Sequence, residues 1–221
     1  MLALFLVPLT ALRAQENGEP PAPPVNEFSL TVAPLSLFGV HRRFRAGVIW
    51  HHRRWNYLLD FEYGPAFLNR ELFGGSGADY RFYGLRPEIR YALSADRVAR
   101  HRHFVGVEVP LNSYRREVTD RQYTRETGDR IAFDRARRQR DRVALLLKYT
   151  IAARLWQHLH LELYAGAGTA RRTITYDRVV NARPENREIL PPKYWGFGDS
   201  TLAGTTWRFD LALGFRVGYR W

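Results

Sequence analysis

Hydrophobic and polar residues alternate one by one through the carboxy-terminal residues 207–221. This segment reads W-R-F-D-L-A-L-G-F-R-V-G-Y-R-W, so each odd-numbered position is apolar and each even-numbered position is charged, alanine or glycine. Successive side chains of a strand point to opposite faces, whereas a helix would scatter both sets around its axis. The pattern therefore predicts a β-strand with one apolar face and one polar face.

Alternation of the same kind recurs in seven further segments, which brings the number of predicted strands to eight. These segments are 28–37, 44–50, 55–63, 81–93, 103–111, 143–155 and 159–169. Short and long connections alternate along the chain. The short ones are 51–54, 94–102 and 157–158, the long ones are 65–80, 113–142 and 175–206, and the first hairpin, 38–41, is short as well. Short turns at one end and long loops at the other are typical of membrane barrels with periplasmic turns and extracellular loops.

The composition of the polar faces indicates which side of the sheet points inward. Charges of both signs are mixed with small residues such as Gly84, Gly166 and Gly214, and glycine on a solvated face would weaken a strand without packing against anything. We therefore predict an all-β fold, an eight-stranded antiparallel up-and-down transmembrane β-barrel with lipid outside and a polar lumen. The alternative is a soluble, lipocalin-like lipid-binding barrel with its apolar face inward.

Inward charges at similar depths predict a salt-bridged lumen. Because eight strands enclose an interior just wide enough for side chains, we expect these charges to plug the barrel, and a gated ion path is the alternative. Replacing one of them, as in Arg216→Leu, is expected to be mild if the acidic neighbours rearrange. The predicted lumen charge network comprises Asp60, Glu62, Arg86, Glu88, Arg90, Glu108, Lys148, Arg154, Glu162, Arg208, Asp210 and Arg216.

Two amino-terminal segments are assigned to export rather than to the barrel. Residues 1–14 have the short apolar run, and the small residues near Ala14, that are typical of a cleaved signal peptide. Residues 15–26 are polar and rich in proline, which predicts an extended linker. The predicted barrel comprises residues 27–221.

Charge and cysteine content narrow the classes of partner and site. The chain has no cysteine, which excludes disulfides, thiolate metal sites, cysteine nucleophiles and the lipidated cysteine of a lipoprotein. The net charge of +12 comes almost entirely from arginine interspersed with acidic residues, whereas a nucleic-acid-binding face would gather cations without acids. We expect outer-membrane lipid and phosphorylated lipopolysaccharide, and no nucleic acid, as partners.

With these features the chain resembles the small eight-stranded outer-membrane barrels of Gram-negative bacteria, the OmpA and OmpX type, and especially the short barrels of Bacteroidetes. The resemblance covers residues 27–221. It is most specific in the last strand, where Phe215, Val217, Tyr219 and Trp221 look like the insertion signal read by the barrel-assembly machinery. It implies a porin-like fold in the outer membrane of the cell envelope, with both termini periplasmic. We expect a monomer.

Recognition through the long loops is the expected function, in a barrel that is structural or adhesive and is not an enzyme. In the 175–206 loop, Tyr194, Trp195 and Phe197 are the recognition candidates, because exposed loop aromatics usually have a partner or a packing site. The 113–142 loop holds ten arginines and six acidic residues. Its composition suits either binding of a polysaccharide or protein, or a solvated hairpin extension with cross-strand ion pairs.

A lipid A deacylase or acyltransferase is the enzymatic alternative. His41 is the one histidine at the predicted extracellular end and Ser36 is its nearest serine, but no carboxylate nearby would orient them. The other histidines fall at the predicted periplasmic turns, where two pairs have an i, i+2 spacing that a metal site could use. We expect interfacial polar residues there, and we predict no catalytic residue, metal or cofactor. These histidines are His51, His52, His101, His103, His158 and His160.

Overall fold

The computed structural model describes residues 26–38, 42–69, 80–94, 100–125, 127–184 and 202–221. The predicted signal peptide and nearly all of the predicted linker precede this part of the chain. The recognition candidates Tyr194, Trp195 and Phe197 and the candidate base His41 also lie outside it. None of the helices within it is long and apolar enough to cross a membrane.

Ten strands make up one sheet in the described residues. One 3-10 helix, Pro34–Leu37, follows the first strand, and another, Ala66–Asn69, follows the third. The strands are β1 (Asn26–Val32), β2 (Phe44–His52), β3 (Trp55–Gly64), β4 (Arg81–Ala92), β5 (His101–Glu108), β6 (Leu111–Thr124), β7 (Arg130–Arg154), β8 (Leu159–Val180), β9 (Arg183–Pro184) and β10 (Gly204–Arg220).

The sheet closes into a ring with eight strand positions. Each strand from β1 to β4 pairs with the next, β7 pairs with β8, β8 with β10, and β10 returns to β1, where Val217 lies opposite Val32. Strands β5 and β6 share one position between β4 and β7, because Pro110 has no backbone N–H to donate and interrupts the strand. The predicted all-β, antiparallel up-and-down barrel of eight strands is confirmed.

Burial alternates along the strands, with the apolar side chains outside. On β3, Leu59 is 53% exposed and its neighbour Asp60 is 1% exposed; on β10, Leu213 is 85% exposed and Arg216 is 1% exposed. A soluble barrel with an apolar interior would show the opposite pattern, so the lipocalin-like alternative is wrong. An apolar outer belt around a closed ring of strands is the arrangement of a transmembrane β-barrel.

Aromatic rings border the apolar belt at both ends. At the end that holds the short turns, Trp50 stacks on Tyr57 with ring centroids 5.2 Å apart. At the opposite end, the centroids of Tyr63 and Tyr83 lie 5.5 Å apart. Aromatic girdles of this kind mark the two interfaces of a membrane barrel.

The first strand is shorter than predicted. It ends at Val32, and Pro34–Leu37 forms a 3-10 helix where the predicted strand 28–37 would continue. The fixed φ of proline and its missing N–H suit the first turn of a helix and interrupt a sheet ladder. The strand prediction is therefore wrong for its last residues.

The predicted loop 113–142 is largely β-sheet, and so are the described residues at the two ends of the predicted loop 175–206. Strand β6 runs to Thr124, β7 begins at Arg130 and β8 continues to Val180, so three strands project together beyond the apolar belt. Strand β7 has 25 residues, whereas crossing a bilayer takes about 9–11. The loop prediction is wrong over the strand residues of these segments, and the hairpin-extension alternative describes 113–142.

The projecting sheet, which we call the blade (116–124, 130–141 and 173–180), has a small core of its own. Tyr123 stacks on Tyr176 with ring centroids 4.4 Å apart, and the surface of the blade carries an ion pair between Arg135 and Glu117. This packing makes the blade a continuation of the barrel wall. Its buried apolar cluster consists of Tyr123, Ile131, Phe133 and Ala136.

Candidate functional site in the barrel lumen

Arg216 lies at the centre of a buried charge network in the lumen. Its Nη2 atom is 3.1 Å from Asp60 Oδ2 and 3.0 Å from Glu88 Oε2, and its Nη1 atom is 3.5 Å from Glu162 Oε2. The four side chains come from β10, β3, β4 and β8, so one guanidinium joins strands from several sides of the ring. The contacts exist because period-2 alternation turns each of these residues inward.

Lys148 and Arg86 extend the network to β7 and β5. Lys148 Nζ is 2.6 Å from Glu88 Oε2 and 3.1 Å from Glu108 Oε2, while Arg86 Nε is 2.6 Å from Glu108 Oε1. Each carboxylate therefore accepts from more than one cation, which is the arrangement that a buried charge requires.

Arg45 on β2 is a member of the network that the sequence prediction omitted. Its Nη2 atom lies 2.5 Å from Asp60 Oδ2 and 3.3 Å from Glu108 Oε1, and its Nη1 atom donates to the Tyr164 hydroxyl at 3.0 Å. The available signal was its position on β2, where it shares a face with Gly47, opposite the apolar residues of that strand.

Positive and negative charges balance within this network, which we call the lumen plug. Each member is at most 6% exposed, and unlike charges lie in contact across the lumen. These ion pairs join strands from around the ring. The five carboxylates of the lumen plug are Asp60, Glu62, Glu88, Glu108 and Glu162, and its five cations are Arg45, Arg86, Arg90, Lys148 and Arg216.

Three of the predicted lumen charges lie outside the lumen plug. Arg154 is exposed at the end of β7. Asp210 pairs with Arg142 nearer the blade, and Arg208 is half-buried on β10 one inward position further towards the blade. The other predicted members lie together in the lumen plug.

Glycine makes room for the largest members of the lumen plug at two positions. A Cβ atom on Gly166 would lie 2.5 Å from Lys148 Cγ, and one on Gly106 would lie 2.6 Å from Arg90 Cβ. Both glycines are directly across from these residues in the strand register. Because glycine has no side chain, Lys148 and Arg90 have room to lie across the neighbouring strand.

The predicted insertion signal lies on the outward face of the closing strand. Tyr219 and Trp221 are 52% and 61% exposed, and Trp221 donates its backbone N–H to the Phe28 carbonyl of β1. Phe215 and Val217 point to the same outward face and are partly covered. Their role in insertion stays a prediction.

Of the two residues weighed for acyl chemistry, Ser36 lies within the described part of the chain. The Ser36 hydroxyl lies 2.7 Å from the main-chain oxygens of Ala33 and Arg43 and donates to the backbone. At the opposite end of the lumen, His51 lies between Ser29 Oγ at 2.8 Å and Asn56 Oδ1 at 3.1 Å. That order matches a nucleophile, base and orienter, but Ser29 is fully buried and a substrate carbonyl has no access to it.

The histidines of the turn region bind neighbouring polar groups. His103 Nδ1 is 2.6 Å from the Tyr149 hydroxyl, and His158 Nδ1 is 2.9 Å from the Arg220 carbonyl oxygen. In the part of the chain that the structure describes, no group of three or more His, Asp or Glu side chains is placed to hold a metal ion.

Comparison with known proteins gives structural similarities only. No protein-family model matches the chain, and no curated protein is similar to it. It is similar to a major outer membrane protein from Thermus thermophilus, with a TM-score of 0.48 and 16% identity over 89% of this chain and 100% of that one. It is also similar to CarO2 from Acinetobacter baumannii, with a TM-score of 0.38 and 10% identity over 90% and 99%. Similarity at this level decides nothing about function.

Proposed function

We propose that this protein is a non-enzymatic barrel of the bacterial outer membrane, with a lumen closed by the lumen plug and a blade that presents a recognition surface outside the cell. The observation that carries the proposal is the charge-balanced, buried network inside a ring of only eight strands. A ring of that size has room for side chains and little else. Closure leaves the outer ends of the strands as the part available to partners.

The two unlike ends of the barrel support the proposed orientation. Short turns, the start of β1 and the end of β10 lie at one end, and the blade projects from the other. Barrels of the outer membrane have short periplasmic turns and longer extracellular segments, which supports periplasmic termini. Five further features stay predictions. They are the export signal, the monomeric state, contact with lipopolysaccharide, insertion by the assembly machinery, and the relationship to the OmpA and OmpX type or to Bacteroidetes barrels.

A closed lumen predicts no large steady conductance. Purified protein inserted into planar bilayers is expected to give a current indistinguishable from that of the bare membrane, because paired Arg, Lys, Asp and Glu side chains fill the path. A sixteen-stranded porin in the same bilayer is the positive control. Stable, porin-like single-channel steps from the folded barrel would contradict the lumen plug.

Recognition is testable by removing the segment that links β9 to β10. Deleting the whole predicted loop 175–206 would remove the end of β8 and the start of β10, so the informative deletion is 185–201, replaced by a short Gly-Ser linker. We expect adhesion to cells or polysaccharide to fall, since loops carry recognition while strands carry stability. A loop of equal length and scrambled sequence is the control. Unchanged adhesion by a folded barrel would remove Tyr194, Trp195 and Phe197 as recognition residues.

A further inference from the structure

Outward side chains change from apolar to cationic over three consecutive cross-strand pairs, where β4 and β6 leave the apolar belt. In the register of the sheet, Leu85 lies opposite Leu111, Tyr83 opposite Ser113, and Arg81 opposite Arg115. The two leucines are 44% and 38% exposed, and both arginines are exposed as well. We call the two pairs nearer the blade, Arg81, Tyr83, Ser113 and Arg115, the belt-edge patch.

The belt-edge patch lines a pocket of about 130 Å³. That volume is several times the space that one water molecule needs, so a phosphate group fits into it. Tyr83 places the pocket at a defined depth, because its ring and that of Tyr63 belong to the aromatic girdle at this end of the belt. Such girdles lie at the level of the lipid headgroups. The pocket therefore opens where the charged groups of membrane lipids lie.

The two arginines of the belt-edge patch are like charges directly opposite each other in a sheet, an arrangement that is destabilising by itself. Among the described residues neither arginine pairs with a carboxylate, and Arg115 donates to Gln139 Oε1 at 3.2 Å. The carboxylate of Asp141, on the adjoining β7, accepts from Ser113 Oγ at 2.6 Å and from Gln139 Nε2 at 3.1 Å. An anion bound between the two guanidinium groups would offset their repulsion.

We propose that the belt-edge patch binds the phosphate group of a membrane lipid whose acyl chains lie along Leu85 and Leu111. Guanidinium groups donate paired hydrogen bonds to phosphate oxygens, and the leucines below them offer apolar surface to the chains. A lipid fits better than a free phosphate because both features lie in line on the outward face of the barrel. Assignment of this lipid to the outer leaflet rests on the proposed function, whereas binding of the phosphate does not.

Phosphatidic acid and diacylglycerol with the same acyl chains are the probes, because they differ only in the phosphate group. Folded wild-type protein in a non-ionic detergent is titrated with each lipid, and the bound fraction is read by native mass spectrometry. We expect one phosphatidic acid to bind saturably, and at least about tenfold more tightly than diacylglycerol, because two arginines contact its phosphate. Equal affinity for the two lipids would overturn the proposal.

The double variant Arg81→Gln with Arg115→Gln should lose this preference. We expect it to bind phosphatidic acid at least about tenfold more weakly than the wild type does, with its affinity for diacylglycerol unchanged within about twofold. The matched control is Arg121→Gln with Arg125→Gln, which removes equal charge from exposed positions at the outer end of β6. Equal weakening by the two double variants would show attraction by bulk charge and would overturn the site.

Single variants cover the case in which the inner double variant does not fold. Arg81→Gln alone and Arg115→Gln alone are each expected to bind phosphatidic acid at least about threefold more weakly, and wild-type affinity in both would overturn the site. Inorganic phosphate at the concentration of the lipid should leave phosphatidic acid bound, because it has no chains to contact the leucines. Displacement of the lipid by inorganic phosphate would overturn the choice of a lipid as the ligand.

Failure of this inference and failure of the proposed function give different results. A folded, non-conducting barrel without a preference for phosphatidic acid would overturn this inference alone. Cleavage of the blade by protease added to intact cells tests the proposed orientation separately. A blade that is cleaved only after the cells are permeabilised would overturn that orientation, while binding of phosphatidic acid by the purified barrel would still support the belt-edge patch.

Discussion

Leu213→Arg is expected to abolish stable insertion of the barrel into lipid. Leu213 is the most exposed of the large apolar side chains described, at 85%, and it lies in the middle of β10 on the outward face, opposite Ala165. Arginine at the lipid-facing midplane of a barrel costs roughly 2–4 kcal/mol, a large share of the free energy of folding of a small protein. The measurement is folding into lipid vesicles, followed by heat-modifiable gel mobility.

Thr205→Arg provides the matched control for this substitution. Thr205 is exposed on the same strand and the same outward face, but it lies at the level of the blade, where it contacts Thr173. An arginine side chain at that level is solvated by water, so the folded fraction of Thr205→Arg is expected to match that of the wild type. If Leu213→Arg folded as well as Thr205→Arg does, the outward face of β10 would not face lipid.

Arg216→Leu is expected to reduce the free energy of unfolding by about 3–5 kcal/mol, the usual result of removing one partner from a buried ion network. Its guanidinium contacts Asp60, Glu88 and Glu162, and all three carboxylates are at most 2% exposed. The sequence alone favours a mild effect through rearrangement of acidic neighbours. The structure predicts a severe one, because the neighbours are themselves fixed by other cations. Urea titration of the lipid-inserted barrel measures the difference.

Arg135→Leu is the corresponding control outside the lumen. Its side chain is 62% exposed and pairs with Glu117 on the blade, and exposed pairs of this kind contribute less than about 1 kcal/mol. A loss for Arg216→Leu no larger than that for Arg135→Leu would show that the acidic side chains do rearrange, as the sequence suggested.

Strand number and the inward face followed from the sequence because the alternation that indicates them is a local property. Alternation in segments such as 55–63 and 207–221 separates two faces by itself, and glycine among the charges indicates which face is crowded. The same alternation alone predicts that Asp60, Glu88 and Arg216 point inward. These features need no knowledge of what lies across the ring.

Contacts across the ring were decided by the tertiary structure alone. Arg45 reaches Glu108 because ring closure brings β2 and β5 within reach of each other, and no spacing along the chain records that distance. The sequence pattern also did not predict the strands of the blade. Beyond the membrane a strand needs no apolar face, so residues 113–142 lack a clear period-2 alternation. Their strand conformation is stabilised instead by pairing between β6, β7 and β8. Lipid imposes a pattern that the sequence displays, whereas pairing partners and charge neighbours are chosen by the closed fold.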